Sequence, residues 1–343
     1  MRHRVAPEIV DFAARDGFGL NFHHYPGAES SSAGPVIVVH GAGVRANLFR
    51  PPTEETFVDA LLDAGYDVWL LNWRASIDLK PNEWTLADAA MFDHPAAVKT
   101  VLERTGAKTA KAVIHCQGST SFMMSIVSGQ LPEITTVVSN AVALHPVVTR
   151  LAYMKSRYAT NMVGKYVKYL NPQWGLSAPS GWPTVIDWFV RATHHECNNP
   201  VCKHTSFTFG AGFPTLWLHE NLDDATHEWL KGEFAQVPMT VFHEMHDSND
   251  AGALVSDGRH SELPRNFGAQ APKTDARFVF LGGQHNHCFV PESQQRTFDY
   301  FDRYAPGRHA FYELAGYGHL DVFIGKNAAR DNFPLIIDEL GRG

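Results

Sequence analysis

Short, wholly apolar runs recur along the chain, each followed by a stretch in which apolar residues return every three or four positions. "PVIVV" at 35–39 has the unbroken apolar character of a parallel strand covered on both faces. "TEETFVDALLDAGY" then has helical spacing, a threonine start signal and Gly65 as its stop. "DVWLLNW" at 67–73 is the next buried strand, and 85–105 reads as mostly helical up to Gly106. "KAVIHC" and "ITTVVSNAVAL", the latter around 134–144, are further strands with the helix "STSFMMSIVSG" between them. Near the end come the strand "RFVFLGG", the helix "PESQQRTFDYFDRY", the strand "HAFYELAG" and a last helix near 327–340. Ahead of all these, residues 8–25 read as an antiparallel hairpin turning at Asp16-Gly17.

Strands alternating with helices predict right-handed crossovers and a mostly parallel sheet with helices on both faces. Residues 147–270 break the alternation and are rich in Trp, Tyr, Phe and His, with helical stretches such as "TVIDWFVRATHH" and "ATHEWLKGEF". An insertion between two strands of an open sheet is expected over the carboxyl ends of the strands, where ligands bind. The organisation that follows is an α/β core, 1–146 and 271–343, carrying a helical cap at 147–270.

Composition narrows the function. A hydrophobic fraction of 44% in 343 residues supports a sizeable core. The net charge of −7 argues against a nucleic-acid partner and leaves no polybasic face for membranes. Four cysteines are no disulfide framework in a chain of this length and point to a reducing compartment. The first residues lack an apolar segment of signal-peptide length, and no window approaches ~20 continuous apolar residues. A cytoplasmic protein without stable membrane insertion is expected.

The chemistry centres on "KAVIHCQGSTSF", 111–122. A buried strand, a small polar corner and a helix, in that order, form the tight turn on which α/β hydrolases carry their nucleophile. The middle residue here is Cys116; Gly118 stands two positions after it, and Ile114 occupies the earlier position where glycine is usual. A helix N-terminus beyond Cys116 favours a thiolate and offers backbone N–H groups. An orienting residue and then a histidine should follow in chain order. His319, in "AGYGHLDVF", lies after the last strand, where the general base belongs. "QHNHCFVPES" follows "RFVFLGG" with no Asp or Glu before Glu292, which leaves Asn286 as the best-placed partner. Cys116, His319 and Asn286 make a Cys-His-Asn set like that of papain-type proteases, on an unrelated fold. A thiol can already have passed its proton to histidine at rest, so less charge must be compensated and an orienting amide suffices. In "VVHGAGVRANLF", the His40-Gly41-Ala42-Gly43 turn follows the first parallel strand, where half of an oxyanion hole is built. The N–H groups of Ala42 and Gln117 are the candidate oxyanion donors. His40, Gly41, His115 and Arg74 are the candidates for substrate contacts, with an interelement salt bridge the plainer reading of Arg74.

"HGAGVRANLF", "GYDVWLLNWRASID", "HCQGS", "CNNPVCKHTSFTFG" and "GYGHLDVFIGKNAARDNFP" together resemble the α/β-hydrolase partner domain of GMC-type cholesterol-oxidase-like bacterial proteins. The resemblance spans most of 35–340 and implies a capped α/β-hydrolase fold with Cys116 in the nucleophile position and Asn286 in the acid position. It carries little about substrate. "GFGLNFHHYPG" lacks the strand–helix context of a dinucleotide fingerprint, so no flavin is expected.

Plainer readings stand beside these. An isolated cysteine is most often a small buried hydrophobe, and an Asn after "GGQH" also suits a turn. Cys197 and Cys202, with His194, His195 and His204 nearby, have a C-x4-C spacing within zinc-ligand range but lack a second spaced pair. Packing, a local disulfide and a metal site all stay open there, and no metal is assigned. "HEMH" at 243–246 lacks the two-residue gap of a zinc-protease helix. Cys288 sits two residues beyond Asn286, and a redox role for it stays open. The expected activity is cleavage of an ester, thioester or lactone of a hydrophobic substrate through a thioester acyl-enzyme, with no cofactor. The alternatives are acyl transfer or cyclisation to a non-water acceptor, and a non-catalytic binding module with a decayed corner. A homodimer is left open.

Overall fold

The apolar runs become the strands of one eight-stranded sheet in a computed structural model, which describes residues 6–28, 33–141, 144–210 and 215–342. β1 (Glu8–Ala13) and β2 (Gly19–Tyr25) form the expected hairpin. β3 (Gly34–Val39), β4 (Tyr66–Asn72), β5 (Ala110–His115) and β6 (Ile134–Asn140) follow. Two strands of the insertion, β7 (Tyr169–Leu170) and β8 (Val237–Pro238), pair only with each other. β9 (Arg277–Gly283) and β10 (Ala310–Leu314) complete the sheet in the order β1-β2-β4-β3-β5-β6-β9-β10. β1–β2 and β2–β4 pair antiparallel and every other pair in this sheet is parallel. The predicted strand over 134–144 ends at Asn140; residues 142 and 143 lie outside the described residues.

Helices α1 (Phe57–Asp63), α2 (His94–Thr105) and α3 (Cys116–Val127) connect the core strands. Thr56 and Asp59 form a reciprocal capping box at the start of α1, the signal read from "TEET". A π-turn, Ala89–Asp93, interrupts the helical stretch before α2. It aims the fully buried Asp93 at Arg74. The insertion contributes α4 (Arg150–Val163), α5 (Trp182–Thr193), α6 (Pro200–Phe209), α7 (Asp224–Trp229) and α8 (Met239–Ala251). α9 (Pro291–Tyr304) and α10 (Phe333–Gly341) return to the core.

Val36, Val38 and Val39 of β3 and Leu70 and Leu71 of β4 are wholly buried, as two-sided coverage of a parallel sheet requires. The insertion does not stand apart from that core. Val201, Trp217, Phe234, Val241 and Phe267 join the main apolar cluster, while Leu170, Trp174, Ile186, Val190 and Met239 form a small one of their own. Among the described residues, no helix is long and apolar enough to cross a membrane.

β3 has β4 on one side and β5 on the other, so the chain leaves its carboxyl end in one direction and returns in the other. Such a reversal opens a crevice at the carboxyl ends of the two strands. The turns after β3 and β5 hold His40–Gly43 and Cys116.

Candidate active site

Cys116 sits at the junction of β5 and α3 with φ of 56°, and only Ala141 shares a positive φ among the described non-glycine residues. For a cysteine such backbone costs about 1–3 kcal/mol and persists only where the surroundings enforce it. Two glycines do so. A Cβ on Gly118 would lie 2.1 Å from the His40 carbonyl oxygen, so α3 rests directly on the end of β3. A Cβ on Gly41 would lie 2.9 Å from the Cys116 Cβ. Ile114 does not prevent the corner: its side chain is fully buried within β5, and its backbone registers with Val39 and Ser139.

The backbone N–H groups of Gln117 and Ala42 both donate toward the Cys116 sulfur. One ring nitrogen each of His115 and His319 lies within 4.8 Å of that sulfur. His319 is 1% exposed, in the loop after β10, and its Nδ1 lies 3.2 Å from Asn286 Oδ1. The same Asn286 oxygen accepts the backbone N–H groups of Cys288 at 3.0 Å and Phe289 at 3.1 Å. With Nδ1 donating to an oxygen, Nε2 is left as the basic nitrogen, and it has no other hydrogen-bond partner. The Asn286 and His319 loops are fastened together: Gln284 N–H donates to Leu314 O and His285 N–H to Tyr317 O. A Cβ on Gly283 would fall 1.8 Å from Gly318 O, which accounts for the second glycine of "LGG".

Among the described residues, no carboxylate hydrogen-bonds the His319 ring. Burial therefore acts almost alone, pushing the Cys116 thiol up to about 12 and the His319 imidazole down to about 3. The two N–H groups pull the thiol only partly back. Burial thus favours neutral thiol and neutral imidazole at rest, against the expected thiolate–imidazolium pair. The helix N-terminus and its N–H groups do not outweigh the loss of water.

The remaining candidates separate into layers. Ala42, Cys116 and Gln117 line a cleft enclosing about 970 Å³ including its mouth, under a roof of Val148, Val163, Phe207, Met239, Phe242 and Phe289. His40, Gly41 and His115 are not among its lining residues. His40 Nδ1 bonds the Gly41 carbonyl at 2.7 Å, and His115 Nδ1 accepts from Asn140 Nδ2 at 2.9 Å. Asn140 Nδ2 also donates to the His319 carbonyl at 3.0 Å, so these groups support the site from below. Arg74 is corrected as a substrate contact and takes its plainer reading, an interelement salt bridge. Its guanidinium grips Asp93 at 2.6 Å and Asp16 at 3.1 Å beneath the hairpin, away from the cleft lining.

Sequence reasoning passed over Lys155. In α4 it reads as part of a polar helix face, yet it lines the cleft, donates to Gly210 O at 2.7 Å, and burial lowers its pKa to about 7. Cys288 is beside it in the lining, its thiol pushed well up by burial. The histidines expected near Cys197 and Cys202 turn elsewhere. His204 bonds Asp187 at 2.9 Å, His194 bonds Thr193 at 2.7 Å and His195 bonds Ala192 O at 3.0 Å.

Residues 34–146 match a family model described as the alpha/beta hydrolase fold. Curated relatives include a sterol esterase of Saccharomyces cerevisiae, 26% identical over 41% of this chain and 30% of that one. Human lipase member K is 29% identical over 63% of this chain and 58% of that one. The chain thus covers less than two thirds of the length of either. Among solved structures, a soluble variant of S. cerevisiae monoglyceride lipase superposes with a TM-score of 0.59 at 14% identity, covering 99% of this chain and 96% of that one. A thermophilic esterase from Thermogutta terrifontis superposes with a TM-score of 0.58 at 13% identity, over 98% of both chains. Strand order, the left-handed corner after β5 and these likenesses together make this chain an α/β hydrolase in fold, with lipases and esterases among its relatives.

Proposed function

We propose that the protein is a cysteine-dependent acyl hydrolase acting on an ester, thioester or lactone with a hydrophobic acyl or ring portion. The observation that carries the reading is the convergence on one sulfur of a ring nitrogen within 4.8 Å and two backbone donors. The narrower kinship with the GMC-associated hydrolase domains belongs to this proposal too, through Cys116 and Asn286. So does a cytoplasmic location.

The mechanism follows from the neutral resting pair. As the Cys116 sulfur attacks the carbonyl carbon, its proton passes to His319 Nε2, so no separated charge exists before substrate arrives. The imidazolium that forms is steadied by the Asn286 amide oxygen on Nδ1. The carbonyl oxygen becomes an oxyanion held by the N–H groups of Ala42 and Gln117, each worth ~3 kcal/mol in the transition state. Collapse expels the alcohol or thiol, which takes the proton from His319, and leaves a thioester on Cys116. Water, deprotonated by His319, then attacks the thioester and frees the acid and the thiol.

Two features favour a hydrophobic substrate. The cleft roof is apolar. Leu151, Tyr158 and Met162 on α4 and Val185, Trp188 and Phe189 on α5 are exposed large apolar side chains, which suits substrate delivered from lipid or micelles. The relatives named sterol esterase and lipase fit this class. The same acyl-enzyme can pass its acyl group to an alcohol, amine or thiol, and the mostly apolar lining is what favours that second reading.

A p-nitrophenyl ester series tests the proposal. Hydrolysis should rise from acetate toward longer acyl chains and fall at least ~10³-fold in Cys116→Ala and His319→Ala. Retained activity in Cys116→Ala with a stable fold overturns it.

A further inference from the structure

We infer that Cys197, Cys202, His219 and His227 form a structural zinc site that clamps the cap to the loop bearing His319. The four side chains place one ligand atom each within 4.8 Å of all the others. They come from three segments: the turn before α6 with its first helical residues, the 3-10 turn His219–Asn221, and α7. Cys202 Sγ lies 3.3 Å from His219 Nε2, and the His219 and His227 rings meet edge-on with centroids 5.0 Å apart. His227 Nε2 is buried with no hydrogen-bond partner.

Tetrahedral zinc with sulfur at ~2.3 Å and nitrogen at ~2.0 Å needs its ligand atoms roughly 3.3–3.8 Å apart, so small side-chain adjustments complete the shell. Two soft thiolates with two imidazoles are a zinc set rather than a calcium or magnesium one. Both cysteines are free in this structure. The surroundings are already arranged. Asn199 caps α6 by accepting from Val201 N–H and Cys202 N–H, each at 3.1 Å, and donates to the His227 carbonyl at 2.6 Å. One side chain thus ties a cysteine segment to a histidine segment. A solvent-open depression lined by Cys197, His219 and His227 offers an entry path. C-x4-C lies in the usual spacing, whereas His219 and His227 are farther apart than in a zinc finger because each rides on its own element.

Four protein ligands leave no open position, so the role is structural. Its mechanical consequence lies in the His219 segment. Leu218 N–H donates to Asp321 Oδ2 at 3.3 Å, and Asn221 Nδ2 donates to the same oxygen at 2.6 Å. Asp321 Oδ1 accepts the Gly318 N–H at 2.8 Å, one residue before His319. A metal on His219 therefore anchors the cap to the backbone that positions the imidazole.

The test begins with wild-type protein purified without chelator from zinc-supplemented medium. Elemental analysis should give about one zinc per chain, exchange with cobalt should give the absorption of a tetrahedral thiolate-bound ion, and a strong chelator should expose two more titratable thiols and lower the Tm. Cys197→Ser and His227→Ala should each abolish the bound metal. If either fails to fold, the metal content and thiol count of wild type decide. No zinc after equilibration with the ion overturns the inference, whether Cys197 and Cys202 titrate as free thiols or appear by mass as a disulfide. Neither result depends on whether Cys116 is catalytic.

Discussion

His319 Nδ1 donates to the side-chain oxygen of Asn286 at 3.2 Å in a fully enclosed setting, and that oxygen is already shared with two backbone N–H groups. An amide with three donors on one oxygen is rigid and uncharged. It fixes the tautomer of His319 without lifting its basicity, which matches a nucleophile whose proton leaves only during attack.

That relationship predicts a compensation between two positions. Cys116→Ser alone should be nearly inactive, because a hydroxyl demands a better-stabilised imidazolium than Asn286 provides. Adding Asn286→Asp restores a carboxylate and should recover about 10²–10⁴-fold of the loss. In the cysteine enzyme, Asn286→Asp should raise the acid-side pKa of the kcat/KM profile, since a charged partner favours protonated His319. Steady-state profiles of the three variants check both.

Gly118→Ala should destabilise the protein by about 1–3 kcal/mol or prevent folding, because the new methyl would sit 2.1 Å from a backbone oxygen that cannot rotate away. Denaturant midpoints measure this directly. Gly17→Ala is its control for local clash, since a Cβ there meets nothing and only the backbone strain at φ of 86° remains.

Stability should fall as pH drops below neutrality. Burial lowers His40 to about 4 and His94 and His319 to about 3, and places His115 well below its ordinary value. Below pH 6.5 the unfolded chain binds protons that the folded chain refuses, so the stability present above 6.5 is lost on acidification, at about 1.4 kcal/mol per pH unit for each group. Burial raises Glu244 to about 8 and Asp93 and Asp321 to about 6, and these carboxyls oppose the trend because the folded state takes up their protons first. Burial also lowers His145, His194 and His309 to about 4, so seven histidines outweigh three carboxyls. Urea midpoints at pH 7, 5.5 and 4.5 should decline in that order.

Arg74→Met should cost about 3–5 kcal/mol, because it strands the fully buried Asp93 without its counter-ion. The KM of the enzyme that still folds should stay near wild type, since Arg74 is not among the residues lining the cleft. A large rise in KM with unchanged Tm would return Arg74 to the substrate.

Much of the core was legible because parallel strands covered on both faces must be continuous apolar runs, as "PVIVV" and "DVWLLNW" are. The corner at Cys116 was legible from order alone: strand, small residues, helix, then an amide and a histidine far downstream. The neutral resting pair was not, since burial on all sides is a property of the fold and not of the local residues. Lys155 escaped for the same reason: an amphipathic helix does not announce which polar residue turns inward. The partners of Cys197 and Cys202 lay 17 and 25 positions beyond Cys202, whereas His194, His195 and His204, adjacent in sequence, are spent on other bonds.

The central claim is that Cys116 carries the acyl group, and rapid-quench mass spectrometry tests it most directly. Wild-type protein mixed with a medium-chain p-nitrophenyl ester and quenched in acid within the first turnover should carry one acyl group, on the peptide containing Cys116, with an equal burst of nitrophenol. Steady nitrophenol release with no acylated peptide, undiminished in Cys116→Ala, would contradict it.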